Sequence, residues 1–355
     1  MEIPLPPEIQ PTNEMLRLIA AIDEFKGGWK ALGDLGPETL QSLRRVATIE
    51  SAGSSTRIEG AKLSDGEVEK LVGKVGRESF RSRDEQEVAG YAYVMETLQT
   101  AWGDLRITEG NLRQLHRDLL RYSHKDERHR GEWKSLDNHV AAFDPDGKQV
   151  GIVFETATPF ETPILMEKLL DWHSKEEATP ILHPLLRIAI VNVAFLAIHP
   201  FQDGNGRLSR ILINLMMLRA GYAYASYTSL ESVIEHNKEA YYLALRRTQT
   251  SFNGEADWEP WILFFLRTLR SQVERLGERL KETRMAQTPA LPDDLSPLAG
   301  RLLRLLKERG TLSVSEAAAV LDANRNTLKD KFAELVKSGR ARLHGKGRGS
   351  HYRPS

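Results

Sequence analysis

Residues 199–210 read HPFQDGNGRLSR. The run 181–198 before it is the most apolar of the chain, and RLSRILINLMMLRAG (207–221) follows. Two long apolar helices joined by a short Gly-rich turn predict a helical core with this turn at one end. His183, Arg187 and Asn192 interrupt the first run, so it reads as a buried helix rather than a membrane span. Gly221 is read as the C-terminal cap of the second helix.

The turn has its own chemistry. A helix N-terminus presents unpaired N–H groups and a partial positive charge, and glycines let a ligand approach the backbone. Gly204, Asn205 and Gly206 therefore form an anion site. Arg207 and Arg210 stand three apart, on one helix face, as guanidinium forks suited to polyphosphate. Asp203 offers a hard oxygen ligand that suits Mg²⁺ beside phosphates, and His199 is a general base that works near neutral pH. Each piece has a plain structural reading by itself: a helix stop at His-Pro, a tight turn at Asp-Gly-Asn-Gly, solvated arginines. At this spacing they read together as a nucleotide site with a base beside it. No GxxxxGK[ST] loop occurs in the chain.

The surrounding sequence is mostly helical. Segments 13–25, 37–53, 66–75, 83–100, 108–122, 161–175, 235–251 and 258–285 have helical spacing. Gly27-Gly28 is read as the end of the first, Pro37 as a first-turn residue and Thr108 as an N-cap. The exception is 138–155, where HVAAF and QVGIVF flank a DPDG turn and predict a β-hairpin. Three prolines in AQTPALPDDLSP, 286–297, mark a linker. Beyond it, three short helical segments and a basic pair of strands suggest a winged helix over 298–355.

The stretch 199–210 matches the Fic-family motif HxFx(D/E)GNGRxxR at every defined position. The resemblance covers roughly 40–285 and implies an all-α Fic bundle with a β-hairpin flap, here followed by the small winged-helix region. The implied domains are an N-terminal helical region, 1–100, with an inhibitory helix at about 42–60, a catalytic core at 101–285, the linker and the winged helix. Family members mostly transfer AMP from ATP to a hydroxyl of a target protein. The resemblance implies that His199 deprotonates that hydroxyl and Asp203 holds Mg²⁺ against the α- and β-phosphates. Gly204, Gly206 and Asn205, side chain included, would form the anion hole. Arg207 would contact the phosphates, Arg210 the γ-phosphate, and Phe201 would anchor the loop. The flap would align the target by strand pairing. SSTRIEG, 54–60, resembles the family's inhibitory motif through Ser55, Glu59 and Gly60. In that class the glutamate pairs with the second motif arginine, here Arg210, and blocks the γ-phosphate. Some members also remove AMP or modify themselves, and both activities stay open. Tyr241 and Tyr242 are candidates for the base, with core packing as the alternative for at least one.

The bulk numbers agree. The 355 residues are 41% hydrophobic and 28% charged, with 49 Lys and Arg against 49 Asp and Glu. No global field marks a nucleic-acid binder. The absence of cysteine excludes disulfides, thiolate catalysis and zinc–cysteine sites. The N-terminus lacks the pattern of a signal peptide, so a cytoplasmic location without membrane attachment is expected. A homodimer is expected from the resemblance. The basic residues Arg325, Lys329, Lys331, Arg340, Arg342, Lys346, Arg348 and Arg353 nominate DNA as a partner. They also support the rival reading, a DNA-binding regulator that uses its Fic domain as a nucleotide sensor.

Overall fold

A computed structural model describes residues 2–6, 9–31, 35–75, 80–143, 149–287, 295–321, 323–345 and 350–355. The chain divides into two compact units, Met1–Arg279 and Leu280–Ser355. The first opens with α1 (Asn13–Ala31), α2 (Pro37–Ile58), α3 (Asp65–Val72), α4 (Arg83–Ala101) and α5 (Glu109–Leu119). The hairpin β1 (Val140–Phe143) and β2 (Gln149–Phe154) follows. Then come α6 (Glu161–Ala178), α7 (Pro184–Ile198), α8 (Asn205–Arg219), α9 (Leu230–His236), α10 (Lys238–Ser251) and α11 (Glu259–Gln287), which runs past Arg279 into the second unit. This is the helical architecture with one hairpin that the sequence implied. Among the described residues no helix is long and apolar enough to cross a membrane.

Helix α7 is buried on every side from Leu185 to Ile198, as a helix apolar on nearly every face must be in water, and Arg187 and Asn192 are buried with it. It packs along α8, which is buried from Arg207 to Leu218. Helices α6 and α10 pack against α7, and α2, α4 and α5 against α8. Helix α2 lies against α4, α8 and α9, so a segment distant in the chain reaches the N-terminus of α8. Gly90 in α4 allows another close crossing. A Cβ there would overlap the carbonyl oxygen of Leu119 in α5.

Helix α2 runs to Ile58 rather than 53, and three further boundaries differ from the sequence reading for a local physical reason. Helix α1 does not stop at Gly27-Gly28 but continues to Ala31. Trp29 stacks on Phe25 and packs on Tyr227 at 5.1 Å, and these contacts outweigh the weak propensity of two glycines. The apolar run begins as helix only at Pro184, because proline is accommodated in a first turn but not in the interior. The segment 235–251 is two helices. Asn237 turns its side chain back onto the Val233 carbonyl at 2.8 Å and ends α9.

The second unit contains α12 (Pro297–Arg309), α13 (Val314–Leu321), α14 (Arg325–Lys337) and an antiparallel ribbon, β3 (Ala341–His344) with β4 (His351–Pro354). Its core is Leu302, Leu306, Leu312, Leu328, Phe332 and Leu335. Tyr352 stacks on Phe332 at 3.8 Å. The DPDG turn, most of the linker (288–294), Lys346 and Arg348 lie outside the described residues.

Gly90→Ala should lower stability by about 1–3 kcal/mol or more, because the clash is with backbone that cannot rotate away. A melting curve that matches the unsubstituted protein would refute this close packing of α4 on α5.

Candidate active site

The motif loop starts where α7 stops. His199 has φ 54° and is the one non-glycine residue with positive φ among those described. Such a backbone costs about 1–2 kcal/mol and has to be held by its surroundings. Asn138 donates to the carbonyls of His199 at 3.2 Å and Phe201 at 2.6 Å. Lys134, 3% exposed, donates through Nζ to Ile198 O, Asn138 Oδ1 and Thr156 Oγ1. Its backbone N–H reaches Pro200 O at 2.8 Å. The base of the hairpin is thereby joined to the end of α7.

The ring of His199 has a defined role for each nitrogen. Nδ1 lies 3.2 Å from the Leu196 carbonyl, which requires a proton on Nδ1 and leaves Nε2 as the acceptor. Burial pushes the imidazole down to about 4, against the opposing pull of the Leu196 carbonyl, Glu59 and Asp203. At neutral pH the ring is therefore an unprotonated base.

Phe201 is fully buried beneath the loop, stacked on His116 at 3.8 Å and packed on Trp133 at 4.9 Å. His116, from α5, accepts from the Gly131 N–H at 2.8 Å through Nδ1. Its Nε2–H then donates to the Asp203 carbonyl at 2.9 Å. Burial drives this imidazole down to about 3 and keeps that tautomer neutral. Asn205 differs from expectation. Its Oδ1 accepts from Phe201 N at 2.9 Å and its Nδ2 donates to Phe201 O at 2.6 Å. The side-chain amide closes the loop with one of its two Nδ2 protons, beside the backbone N–H of Asn205 at the start of α8.

The charges are ordered in two groups. In the first, Asp203 accepts from Arg207 at 2.8 Å and Arg83 at 2.9 Å, while Glu87 pairs with the same arginines at 3.1 and 2.7 Å. Burial opposes ionisation of Asp203, but Arg207 and Arg83 outweigh it and hold the carboxyl below its usual range. In the second, Arg210, 1% exposed, donates to Ser55 Oγ at 2.8 Å, Ser55 O at 2.9 Å and Glu59 Oε1 at 2.7 Å. Burial disfavours both charges, but each is stabilised by the other: Glu59 is held below and Arg210 above its ordinary range. Nη1 of Arg210 is buried without a hydrogen-bond partner. Gly204 caps α8 without any side-chain bond, and Glu59 Oε1 lies where a Cβ on Gly206 would stand. A carboxylate from α2 thus covers the anion-seeking end of α8. Gly60 follows with φ 106°.

These groups line a cavity of about 580 Å³. The motif loop and Glu59 form one wall, Phe154 and His139 at the base of the hairpin another, and α10 the third. Tyr241 is 3% exposed with its ring edge-on to Trp261 and Tyr242, so most of it is core. Tyr242 is 40% exposed on the same rim. The sequence reading did not name Leu245, Arg246 and Gln249, which also line this wall. Their spacing of three, four and seven from Tyr242 was the available signal. Arg83, Glu87, His116 and Lys134 left no comparable trace. Among the described residues no group of three or more His, Cys, Asp or Glu forms a metal cage. A hard cation here would draw on Asp203 and on phosphate and water oxygens, which is the donor set Mg²⁺ prefers.

A buried guanidinium, a helix end without a side-chain cap and a neutral imidazole around a ligand-sized cavity have the chemistry that suits a phosphate ester. Known proteins narrow that class. Residues 106–217 match the Fic/DOC family. A protein adenylyltransferase Fic of Drosophila willistoni is 27% identical over 208 residues, 58% of this chain and 39% of that protein. The chain thus spans about two-fifths of the length of such curated relatives. A Fic family protein of Desulfovibrio desulfuricans G20 superposes with a TM-score of 0.63 at 24% identity, over 99% of this chain and 98% of that one. A Fic domain containing signalling protein of Bacteroides thetaiotaomicron gives a TM-score of 0.57 at 28% identity, over 72% and 93%.

His116 and His199 are neutral in the fold and titrate near 6.5 in an unfolded chain. Below that value the unfolded state binds more protons, so stability is lost as pH falls from 6.5 toward their folded values of about 3 and 4. For His116 alone the loss is about 3 kcal/mol by pH 4 and about 5 kcal/mol when it is complete. Urea midpoints measured from pH 7 to 4 should fall steadily, and His116→Gln should flatten the curve. A midpoint insensitive to pH over this range would contradict the buried neutral assignment.

Proposed function

We propose that this protein transfers AMP from ATP to a hydroxyl side chain of a protein target, with Mg²⁺, and that Glu59 restrains the transfer. One observation carries the restraint: the Glu59 carboxylate stands 2.7 Å from the buried Arg210, over the open N-terminus of α8. An anion already fills the place that a terminal phosphate needs. The curated relatives are named protein adenylyltransferases, which supports the chemistry.

The residues divide the work. Nε2 of His199 takes the proton of the attacking hydroxyl. The hydroxyl oxygen bonds to the α-phosphorus, and the bond from that phosphorus to the bridging oxygen breaks, releasing pyrophosphate. Such a displacement depends on alignment and charge more than on covalent help. The backbone N–H groups of α8 and the forks of Arg207 and Arg210 would hold the leaving group in line. Asp203 would hold Mg²⁺, which supplies neutralisation of phosphate charge when bound. Tyr242, Leu245 and Gln249 form the wall left for the base. A target segment lies along the hairpin by strand addition, where main-chain hydrogen bonds position any sequence.

With Glu59 in place, a triphosphate meets a like charge and an Arg210 already engaged. Glu59→Gly should therefore raise incorporation of label from α-³²P-ATP by roughly tenfold or more, equivalent to about 1.4 kcal/mol of recovered phosphate binding. Self-modification serves as the readout without a known target. Adding His199→Ala should remove about 10²–10⁴ of that rate. Turnover unchanged by Glu59→Gly sinks the restraint. Label that survives His199→Ala sinks the assignment of the base.

A further inference from the structure

The second unit distributes charge unlike the rest of the chain. Residues 295–355 hold 13 Lys and Arg against 5 Asp and Glu, and 335–355 hold no acid at all. The whole chain is neutral, so the remainder carries the balancing acid. The register of the ribbon concentrates this charge. Arg342 pairs directly with Arg353, and His344 directly with His351. Paired residues share a face, and positions two apart on a strand share it again. Four basic side chains therefore stand on one face. Arg342, His344 and Arg353 are exposed, and the two imidazoles lie 5.7 Å apart. Among the described residues no carboxylate lies within ion-pair range of Arg342 or Arg353. Like charges directly opposite destabilise a strand pair, so this ribbon carries a local cost that a line of phosphates would remove.

The start of α14 carries cations of its own. Arg325, Asn326 and Lys329 are exposed on its first two turns, and Arg325 reaches back to Ser315 of α13 at 2.5 Å. A short helix, a turn and a second helix with polar, cation-bearing first turns is the arrangement that inserts into a major groove. Asn and Lys or Arg are also the side chains that read adenine and guanine edges there. The unit has two aromatic residues, Phe332 and Tyr352, and they stack on each other. Single strands are bound by exposed aromatic platforms, which are absent among its described residues. A membrane surface calls for apolar side chains to insert, and the basic face of the ribbon offers none.

We propose that residues 295–355 bind duplex DNA, with the β3–β4 face on the phosphate backbone and the first turns of α14 toward the groove. The proposal is independent of the AMP-transfer reading. The test uses the full chain and a fluorescein-labelled 24-base-pair duplex of mixed sequence, with anisotropy followed from 50 to 200 mM NaCl. Affinity should fall with salt, and Arg342→Gln/Arg353→Gln should weaken binding and reduce the log–log slope by about 2, one unit for each phosphate no longer neutralised. Lys329→Gln should take away about one more if its partner is a phosphate, or alter sequence preference if it is a base. Arg342→Gln/Arg353→Gln should melt no lower than the unsubstituted chain, because it removes a repelling pair. Failure to bind at 50 mM salt overturns the proposal, as does a variant with unchanged affinity and slope. A variant that melts lower assigns the arginines to the fold and overturns it equally. Equal binding of the single strand, of polyglutamate or of anionic vesicles replaces duplex DNA with a general polyanion and overturns the assignment of the partner.

Discussion

A guanidinium with 1% exposure cannot remain without an anion. Arg210 is such a group, and the organisation of the first unit follows from how it is satisfied. It projects from the first turns of α8, whose open end already favours negative charge. Two positive features therefore coincide, and the chain answers with a carboxylate from α2, 151 residues away. The answer is partial: Nη1 has no partner. A phosphate brings more oxygens than a carboxylate, so the site is satisfied by its own chain and better suited to another ligand.

Helix α2 is held in place by a second buried acid. Glu231, fully buried in α9, accepts from Ser51 at 2.7 Å, Tyr91 at 2.7 Å, Asn214 at 2.7 Å and Ser229 at 3.0 Å. These donors come from α2, α4, α8 and the N-cap of α9 itself. Burial and the neighbouring Glu231 raise the Tyr91 phenol well above its ordinary range, so it remains a donor. Lys134 plays the complementary part across the cavity, as a buried cation with three neutral acceptors. The two hubs meet their partners with neutral groups. The ion pairs of the site, Arg83, Glu87, Asp203 and Arg207, are left to face the cavity.

What was legible in the sequence depended on distance along the chain. His199, Asp203, Gly204, Gly206, Arg207 and Arg210 fall in one loop and two helical turns, where local geometry fixes their relation. Ser55, Glu59 and Gly60 were legible for the same reason, as one helix end. The partners that hold these residues were not. His116 reaches Asp203 across 87 positions, and Lys134 reaches Ile198 across 64. Such contacts produce no period. The amide of Asn205 illustrates the limit from the other side: its identity was plain, but only the folded loop shows that it binds Phe201. Helix ends followed the same rule. Pro184 and Asn237 act locally yet compete with apolar periodicity, and at Gly27-Gly28 contacts from Trp29 overrode the local signal.

The buried face of α2 begins at Leu43 and ends at Ile58, and between them it is made of Ala47, Thr48, Ser51, Ala52, Gly53, Ser54, Ser55 and Thr56. These side chains are short and many bear hydroxyls. Lifting such a face into water uncovers mostly methyl groups and hydroxyls, with the larger apolar side chains Leu43 and Ile58 at its two ends. Setting it back freezes few rotors, since Ala and Gly have no side-chain freedom to lose and Ser has little. A helix lined this way costs less exposed apolar surface and fewer frozen rotors to undock than one lined throughout by large side chains.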